Sequence, residues 1–211
     1  MGQSGQKDLC DENGILLVAD EVQTGFCRTG RMFATNYWEE SGVQPDILAT
    51  AKSIAAGVPL SAIVAREEIM EASAPGTIGG TFCGNALACA AALKTIEIME
   101  RDDIAGRSCE IGEKVSKRFN EWKEKYPVIG DVRGLGGMIG LEFVKDQKTK
   151  EPYPEFSAAV IKGCVQKGLM IEGAGTYGNV IRFLAPLVMT DEQLEAGLDI
   201  YESVIKELLE K

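Results

Sequence analysis

The chain has 211 residues, 32 acidic against 22 basic, no histidine, and a formal charge of −10 at pH 7. That length can bury about 70% of the unfolded surface in one large domain or two small ones, and the acidic excess argues against a nonspecific grip on nucleic acid phosphates. No apolar stretch approaches the roughly 20 uncharged residues of a membrane helix, so a soluble protein with no membrane role is expected. The six cysteines (Cys10, Cys27, Cys83, Cys89, Cys109 and Cys164) contain no C-x-x-C pair. With histidine absent as well, no metal site is expected, and scattered single thiols suit a reducing cytoplasm. Acid-base chemistry then falls to lysine, a carboxylate, tyrosine or a cofactor.

Residues 1–6 are polar and glycine-rich, and order is expected from about residue 7, with 7–13 ending a helix closed by Gly14. The apolar run Ile15-Leu16-Leu17-Val18-Ala19 reads as a buried strand that delivers Asp20 and Glu21 into a turn over 22–30. A short helix is expected over 33–41, a turn and second strand over 45–52 ending at Lys52, and a third strand over 61–65. Helical spacing recurs over 85–100 and again over 102–126, with a break near Gly106. After Pro127, residues 138–144 alternate like a strand and open a second, smaller sheet. A helix over 156–167 stopped by Gly168, strands over 169–172 and 179–183, and a final helix capped by Thr190 complete the reading. The expected division is 1–105 and 106–211.

Two strands ending in an acid and a lysine can place both groups at the carboxyl edge of one parallel sheet, where open α/β folds bind ligands. A carboxylate buried at a strand end needs a cation, either a salt bridge with a residue such as Arg28 or a bound group. A lysine that loses solvation there becomes a better amine nucleophile, and a surface lysine is the competing reading. Together Asp20 and Lys52 match the needs of pyridoxal phosphate: an amine for its aldehyde, and an acid to keep the pyridine nitrogen protonated so that the ring acts as an electron sink. Arg182, inside an apolar strand, calls for a partner. Val18 is expected to pack in the core, Glu21 is open in role, and Arg133 reads as structural because Gly134, Gly136 and Gly137 lack the context of a dinucleotide site.

The strings ADEVQTGFCRTG (19–30), PDILATAKSIAAG (45–57), GGTFCGNALACAAAL (79–93) and YGNVIRFLAPL (177–187) resemble, in order, the signatures of the class III pyridoxal phosphate dependent aminotransferases. Residues 78–82 and 175–182 most resemble the 4-aminobutyrate enzymes of that family. Acetylornithine and ornithine enzymes usually carry a histidine near the former string, where this chain has Ile78. The resemblance implies an α/β fold: part of the fold type I large-domain sheet over 1–105, followed by a small α+β C-terminal domain. It implies pyridoxal 5′-phosphate as cofactor, with Asp20 and Lys52 catalytic and Asp20, Val22, Gln23, Lys52 and Thr81 binding it. Asp20 would bond the pyridine nitrogen, Gln23 would lie near the phenolic oxygen, and Lys52 would hold the aldehyde carbon and shuttle the proton. Thr81 would reach the cofactor phosphate of another subunit, its competing role being to cap the helix near Asn85. Arg182 would hold the carboxylate of glutamate or 2-oxoglutarate.

The implied activity is transfer of an amino group from 4-aminobutyrate or a related ω-amino acid to 2-oxoglutarate. The resemblance covers only the C-terminal half of such enzymes, so a homodimer or association with a missing N-terminal half is expected. The alternatives are a non-catalytic half or truncated product, or another class III activity such as an ornithine-type aminotransferase, aminomutase, decarboxylase or racemase. Cys27 and Cys83 stand where glycine is usual, and Ala86 where proline is common. A cysteine at a positive φ would cost roughly 1 to 3 kcal/mol.

Overall fold

The computed structural model describes residues 3–210, so the reading of Met1 and Gly2 lies outside the described residues. The chain forms two compact units, Met1–Gly106 and Arg107–Lys211.

The first unit runs α1 (Gln3–Glu12), β1 (Val18–Asp20), α2 (Asn36–Glu39), β2 (Ile47–Thr50), a 3-10 turn (Lys52–Ala55), β3 (Ala62–Ala65), α3 (Glu67–Glu71) and α4 (Ala86–Arg101). Its sheet has the order β1-β2-β3, with β1 parallel to β2 and β3 antiparallel to it. Helix α1 starts earlier than expected: no proline interrupts residues 3–12, and Lys7 pairs with Asp11 one turn on. Strand β1 is shorter than its apolar run. Ile15 and Leu16 are exposed, and pairing begins only where the Leu17 carbonyl accepts from the Asp46 and Ile47 N–H groups. Asp46 fixes that junction: its buried carboxylate accepts from Leu17 N–H at 2.7 Å and lies 3.1 Å from Arg66. Val18 is also exposed, against the expectation of a core residue, because β1 turns the buried Ala19 to the covered side of the sheet and Val18 to the other.

The core of this unit gathers Phe26, Ile54, Ala55 and Ala92, with Phe33 edge-on to Phe26 at 5.4 Å between ring centroids. Asn85 caps α4, its side-chain oxygen accepting from the Leu87 and Ala88 N–H groups, so the cap is not Thr81. The expected break near Gly106 lies instead at Asp103. That residue has φ +45° and accepts from Gly106 N–H at 3.1 Å, which places Gly106 inside the next helix.

The second unit holds α5 (Ile104–Lys125), β4 (Ile129–Leu135), β5 (Met138–Phe143), α6 (Pro154–Gln166), β6 (Glu172–Ala174), β7 (Val180–Phe183) and α7 (Asp191–Leu209). Its antiparallel sheet has the order β4-β5-β7-β6. Strand β6 begins three residues later than expected, since only Glu172–Ala174 find partners on β7. Helix α5 turns Ile111, Val115, Phe119 and Trp122 inward, where Phe119 and Trp122 meet Tyr201 of α7 edge-on. Gly112 on the same helix lies against the Gly136 backbone in the β4–β5 turn. A capping box starts α7: Gln193 N–H donates to the Thr190 hydroxyl, and Thr190 N–H donates to the Gln193 side chain. Arg133, read as structural, pairs with Asp131 and Glu142. Among the described residues no helix is long and apolar enough to cross a membrane.

Glu202 of α7 joins α5 electrostatically, with Arg118, Lys125 and Lys206 within 3.2 Å and the Tyr126 hydroxyl donating at 2.8 Å. Partial burial pulls its carboxyl upward, but the hydrogen bonds from Tyr126, Lys125, Lys206 and Arg118 outweigh that and hold it at about 2, below the ordinary 4.5. A depressed carboxylate contributes stability above its unfolded pKa and loses it as pH falls through its folded pKa. Between pH 6 and pH 2.5, urea unfolding should therefore show wild type losing about 1 to 2 kcal/mol more than Glu202→Gln. Equal losses in the two proteins would remove this cluster from the acid limb.

Candidate active site

Because β1 and β2 are parallel, their carboxyl ends share one edge, and the sequence places an acid after one and an amine after the other. Asp20 ends β1 opposite Ala49, and the Glu21 N–H extends the ladder by donating to the Ala49 carbonyl at 2.8 Å. The Asp20 side chain is exposed rather than buried, and its Oδ1 accepts from Val22 N–H at 3.0 Å, a local turn that orients the carboxylate.

The buried acid is its neighbour. Glu21 is 2% exposed, accepts from Thr35 N–H at 2.6 Å and from the Thr24 hydroxyl, and takes Gly25 N–H on its own carbonyl at 3.0 Å. It thereby clamps the loop that carries Val22 and Gln23, both half-buried. Gly25 is required there, since a Cβ would come within 2.9 Å of the Glu21 carbonyl oxygen and 3.2 Å of the Phe33 ring. The sequence left Glu21 open. A signal was present in its spacing from Thr24, a hydroxyl three residues on, but its main donor is a backbone N–H fourteen residues away.

The same loop contains consecutive left-handed residues, Phe26 at φ +57° and Cys27 at φ +69°. The strain expected if cysteine replaced a positive-φ glycine is therefore real at Cys27, whereas Cys83 is not among the positive-φ residues. The Cys27 thiol is buried, and that burial raises its pKa.

Lys52 opens the 3-10 turn two residues past β2, with its backbone at φ +39°. A lysine gains nothing from that conformation intrinsically, and such outliers concentrate at functional positions. The side chain is exposed, which corrects the expectation of a desolvated amine: the residues beside it, Ala51 and Ser53, are themselves only half-buried. Asp20 thus ends β1, Val22 and Gln23 lie in the loop that follows it, and Lys52 follows the neighbouring parallel strand β2 at the same end of the sheet. Thr81 lies in the same unit but in a separate exposed turn before α4. Arg182 belongs to the second unit, on β7 between Gly140 of β5 and Glu172 of β6. Its Nη2 lies 3.1 Å from Glu172 Oε2, meeting the expectation that an arginine in an apolar strand is partnered. Both residues line a largely apolar cavity of about 360 Å³ with Ile171, Leu184, Met189 and Leu198.

The family model described as aminotransferase class-III matches residues 3–205. The chain belongs to the class III aminotransferases. It is 46% identical over 197 residues to a probable 4-aminobutyrate aminotransferase of Bacillus subtilis (strain 168), a match covering 93% of this chain and 44% of that protein. It is 45% identical to the 5-aminovalerate aminotransferase DavT of Pseudomonas aeruginosa, covering 95% and 46%. The chain therefore spans somewhat under half the length of the curated relatives it matches. Among solved structures, a Bacillus anthracis aminotransferase superposes with a TM-score of 0.88 at 34% identity, covering 97% of this chain and 48% of that one. A PLP-bound amine transaminase from an uncultivated Pseudomonas species gives 0.86 at 32%, covering 97% and 47%. The mixed α/β class III aminotransferase fold read from the sequence is thus the fold of these transaminases.

Proposed function

We propose that this chain carries the cofactor-binding acid and amine of a pyridoxal 5′-phosphate dependent aminotransferase whose whole form moves an amino group from 4-aminobutyrate or a related ω-amino acid to 2-oxoglutarate. The observation that carries the reading is the parallel register of β1 and β2, which sets Asp20 and Lys52 at one sheet edge. An exposed carboxylate oriented by a backbone N–H at the end of β1, and an amine on a left-handed backbone just past the adjacent strand β2, fit the donor set that this cofactor needs. The relatives' names, 4-aminobutyrate and 5-aminovalerate aminotransferases, support the donor class.

Each residue then has a task. Asp20 would hold the proton on the pyridine nitrogen, Gln23 would face the phenolic oxygen, and Val22 would flank the ring. Lys52 Nζ would bind the aldehyde carbon and carry the proton that leaves the substrate carbon, a role the chain cannot give to histidine. Thr81 would bond a phosphate across a subunit boundary, and Arg182 would hold the substrate carboxylate with two parallel N–H donors. The cofactor, when bound, supplies the electron sink for breaking the substrate's C–H bond. Residues 1–105 would be the C-terminal portion of the cofactor-binding large domain and 106–211 the small C-terminal domain. Six free cysteines suit a cytoplasmic setting.

The test is chemical. Incubation with pyridoxal phosphate, borohydride reduction and peptide mapping should place the label on Lys52 and lose it in Lys52→Ala. Label on surface lysines with none on Lys52 would overturn the assignment.

A second observation bears on assembly. Ile15, Leu16, Val18, Ile63 and Val64 are exposed, and β1 is an edge strand among the described residues. An apolar edge of this kind favours closure by further polypeptide, consistent with a dimer or a pairing with a missing N-terminal half. Sedimentation at micromolar concentration should give a species heavier than the 22.7 kDa chain. A monomer throughout the concentration range would refute self-association.

A further inference from the structure

Left-handed backbone follows both parallel strands, and one apolar cluster joins the two places. After β1, Phe26 and Cys27 stand at φ +57° and +69°; after β2, Lys52 stands at φ +39°, and its 3-10 turn leaves through Ala56 at φ +46°. A residue other than glycine keeps such a backbone only where its surroundings over-determine it. Here those surroundings are shared. Phe26 is 5% exposed and belongs to the same core as Ala92 of α4 and as Ile54 and Ala55, which follow Lys52 within its turn. The Ile54 N–H donates to the Ala51 carbonyl at 3.0 Å, a hydrogen bond that closes around Lys52 and Ser53.

We propose that Phe26 is a positioning residue for Lys52: by filling the core that Ile54 and Ala55 share, it keeps the lysine backbone left-handed and so sets the direction in which the amine leaves the sheet edge. This rests on the reading of Lys52 as the amine that takes the cofactor's aldehyde. The Lys52 side chain is exposed, so no packing along its stem fixes it, and its direction is set at its base by φ and ψ. The lever is short. A shift of Ile54 must be absorbed in the closed turn that holds Lys52, and the strained residue there is the lysine, which gains by returning to negative φ. Phe26 itself lies in the loop that Glu21 clamps, with Gln23 three residues before it. One aromatic ring, held edge-on by Phe33, therefore ties the groups that follow β1 to the amine that follows β2. Reactivity falls steeply when a nucleophile leaves its attack geometry, so loosening this core should be felt first as a slower amine.

The full chain should be prepared as wild type, Phe26→Leu, Phe26→Ala and Val43→Ala. The last is the control for general loosening, since Val43 is buried in the same unit but outside the cluster. Two readouts are needed. The one-bond Cα–Hα coupling of Lys52, smaller at positive than at negative φ, reports the backbone with no cofactor present. Pyridoxal phosphate followed by borohydride then gives the label on Lys52 relative to Lys148, an exposed lysine of the second unit. Phe26→Leu should lower that ratio about threefold and Phe26→Ala about tenfold, the scale on which a strained backbone relaxes. In both, the Lys52 coupling should move toward its negative-φ value, while Val43→Ala leaves coupling and ratio as in wild type. Phe26→Leu keeps an apolar side chain of similar bulk and carries the test should the alanine variant not fold. Wild-type label on Lys52 with a coupling unchanged by either Phe26 substitution, or changes of equal size in Val43→Ala, overturns this proposal and leaves the cofactor reading standing. Label on Lys148 with none on wild-type Lys52 overturns the cofactor reading, and this proposal with it.

Discussion

Glu21→Ala should destabilise the first unit by about 3 kcal/mol. The substitution removes the acceptor for Thr35 N–H and for the Thr24 hydroxyl at a site 2% exposed, stranding a buried backbone donor and leaving a half-buried hydroxyl without its partner. Hydrogen bonds to charged groups contribute roughly 1.5 to 3 kcal/mol, and each stranded buried donor costs about 1 to 3. Glu21→Gln keeps the shape and one acceptor oxygen, so its loss should be nearer 1 kcal/mol. The two tryptophans, Trp38 in the first unit and Trp122 in the second, allow each to be followed by 19F-labelled resonances during urea titration. An alanine variant that costs under 1 kcal/mol at the Trp38 signal would show that Glu21 does not clamp the loop. Borohydride labelling of Lys52 in the same variant separates loop order from lysine reactivity, since Lys52 stands after a different strand.

Gly112→Ala should cost the second unit about 3 kcal/mol, with a sign opposite to helix propensity. In an exposed helix interior, alanine is favoured over glycine by about 1 kcal/mol. Here the new Cβ would lie 2.7 Å from the Gly136 carbonyl carbon and 3.0 Å from its Cα, both backbone atoms of the β4–β5 turn that cannot swing aside like a side chain. Helix α5 must move off the hairpin or the turn must deform, and overpacking of this kind typically costs 1 to 3 kcal/mol or more. Gly197→Ala on α7 is the control, because its Cβ would meet nothing closer than Leu169 at 3.5 Å. That substitution should be neutral or stabilising by up to about 1 kcal/mol. The Trp122 resonance reports both. If Gly112→Ala is as stable as wild type, the close approach of α5 to the turn is not a packing constraint.

The sequence made the large elements legible where one physical signal dominated. The Thr190-x-x-Gln193 pattern announced α7, and the small-residue helical spacing after Asn85 announced α4, because caps and periodicity are local. The acid and lysine at successive strand ends were legible for the same reason: strand termini can be read from apolar runs. What was not legible depended on neighbours. The run Ile15 to Ala19 looked like a buried five-residue strand, but pairing is decided by what lies alongside, and β2 reaches only Val18 to Asp20. The assignment of burial to Asp20 rather than Glu21 failed because a one-residue difference reverses the facing side in extended chain. The break near Gly106 was misplaced since glycine was taken as the interrupter, whereas Asp103 interrupts and then caps. Glu172 was invisible as a partner of Arg182 because cross-strand register cannot be counted along the chain.

The clamp at Glu21 has a further consequence through the nature of its partners. A hydroxyl and a peptide N–H carry no net charge, so dissolved ions have no opposing monopole to screen there. The strand-end loop should keep its shape from dilute buffer to molar sodium chloride, while the Glu202 cluster on α7, built from three cations, weakens over the same range. Ionic strength thus offers a means of relaxing the second unit while leaving the architecture around Asp20 in place.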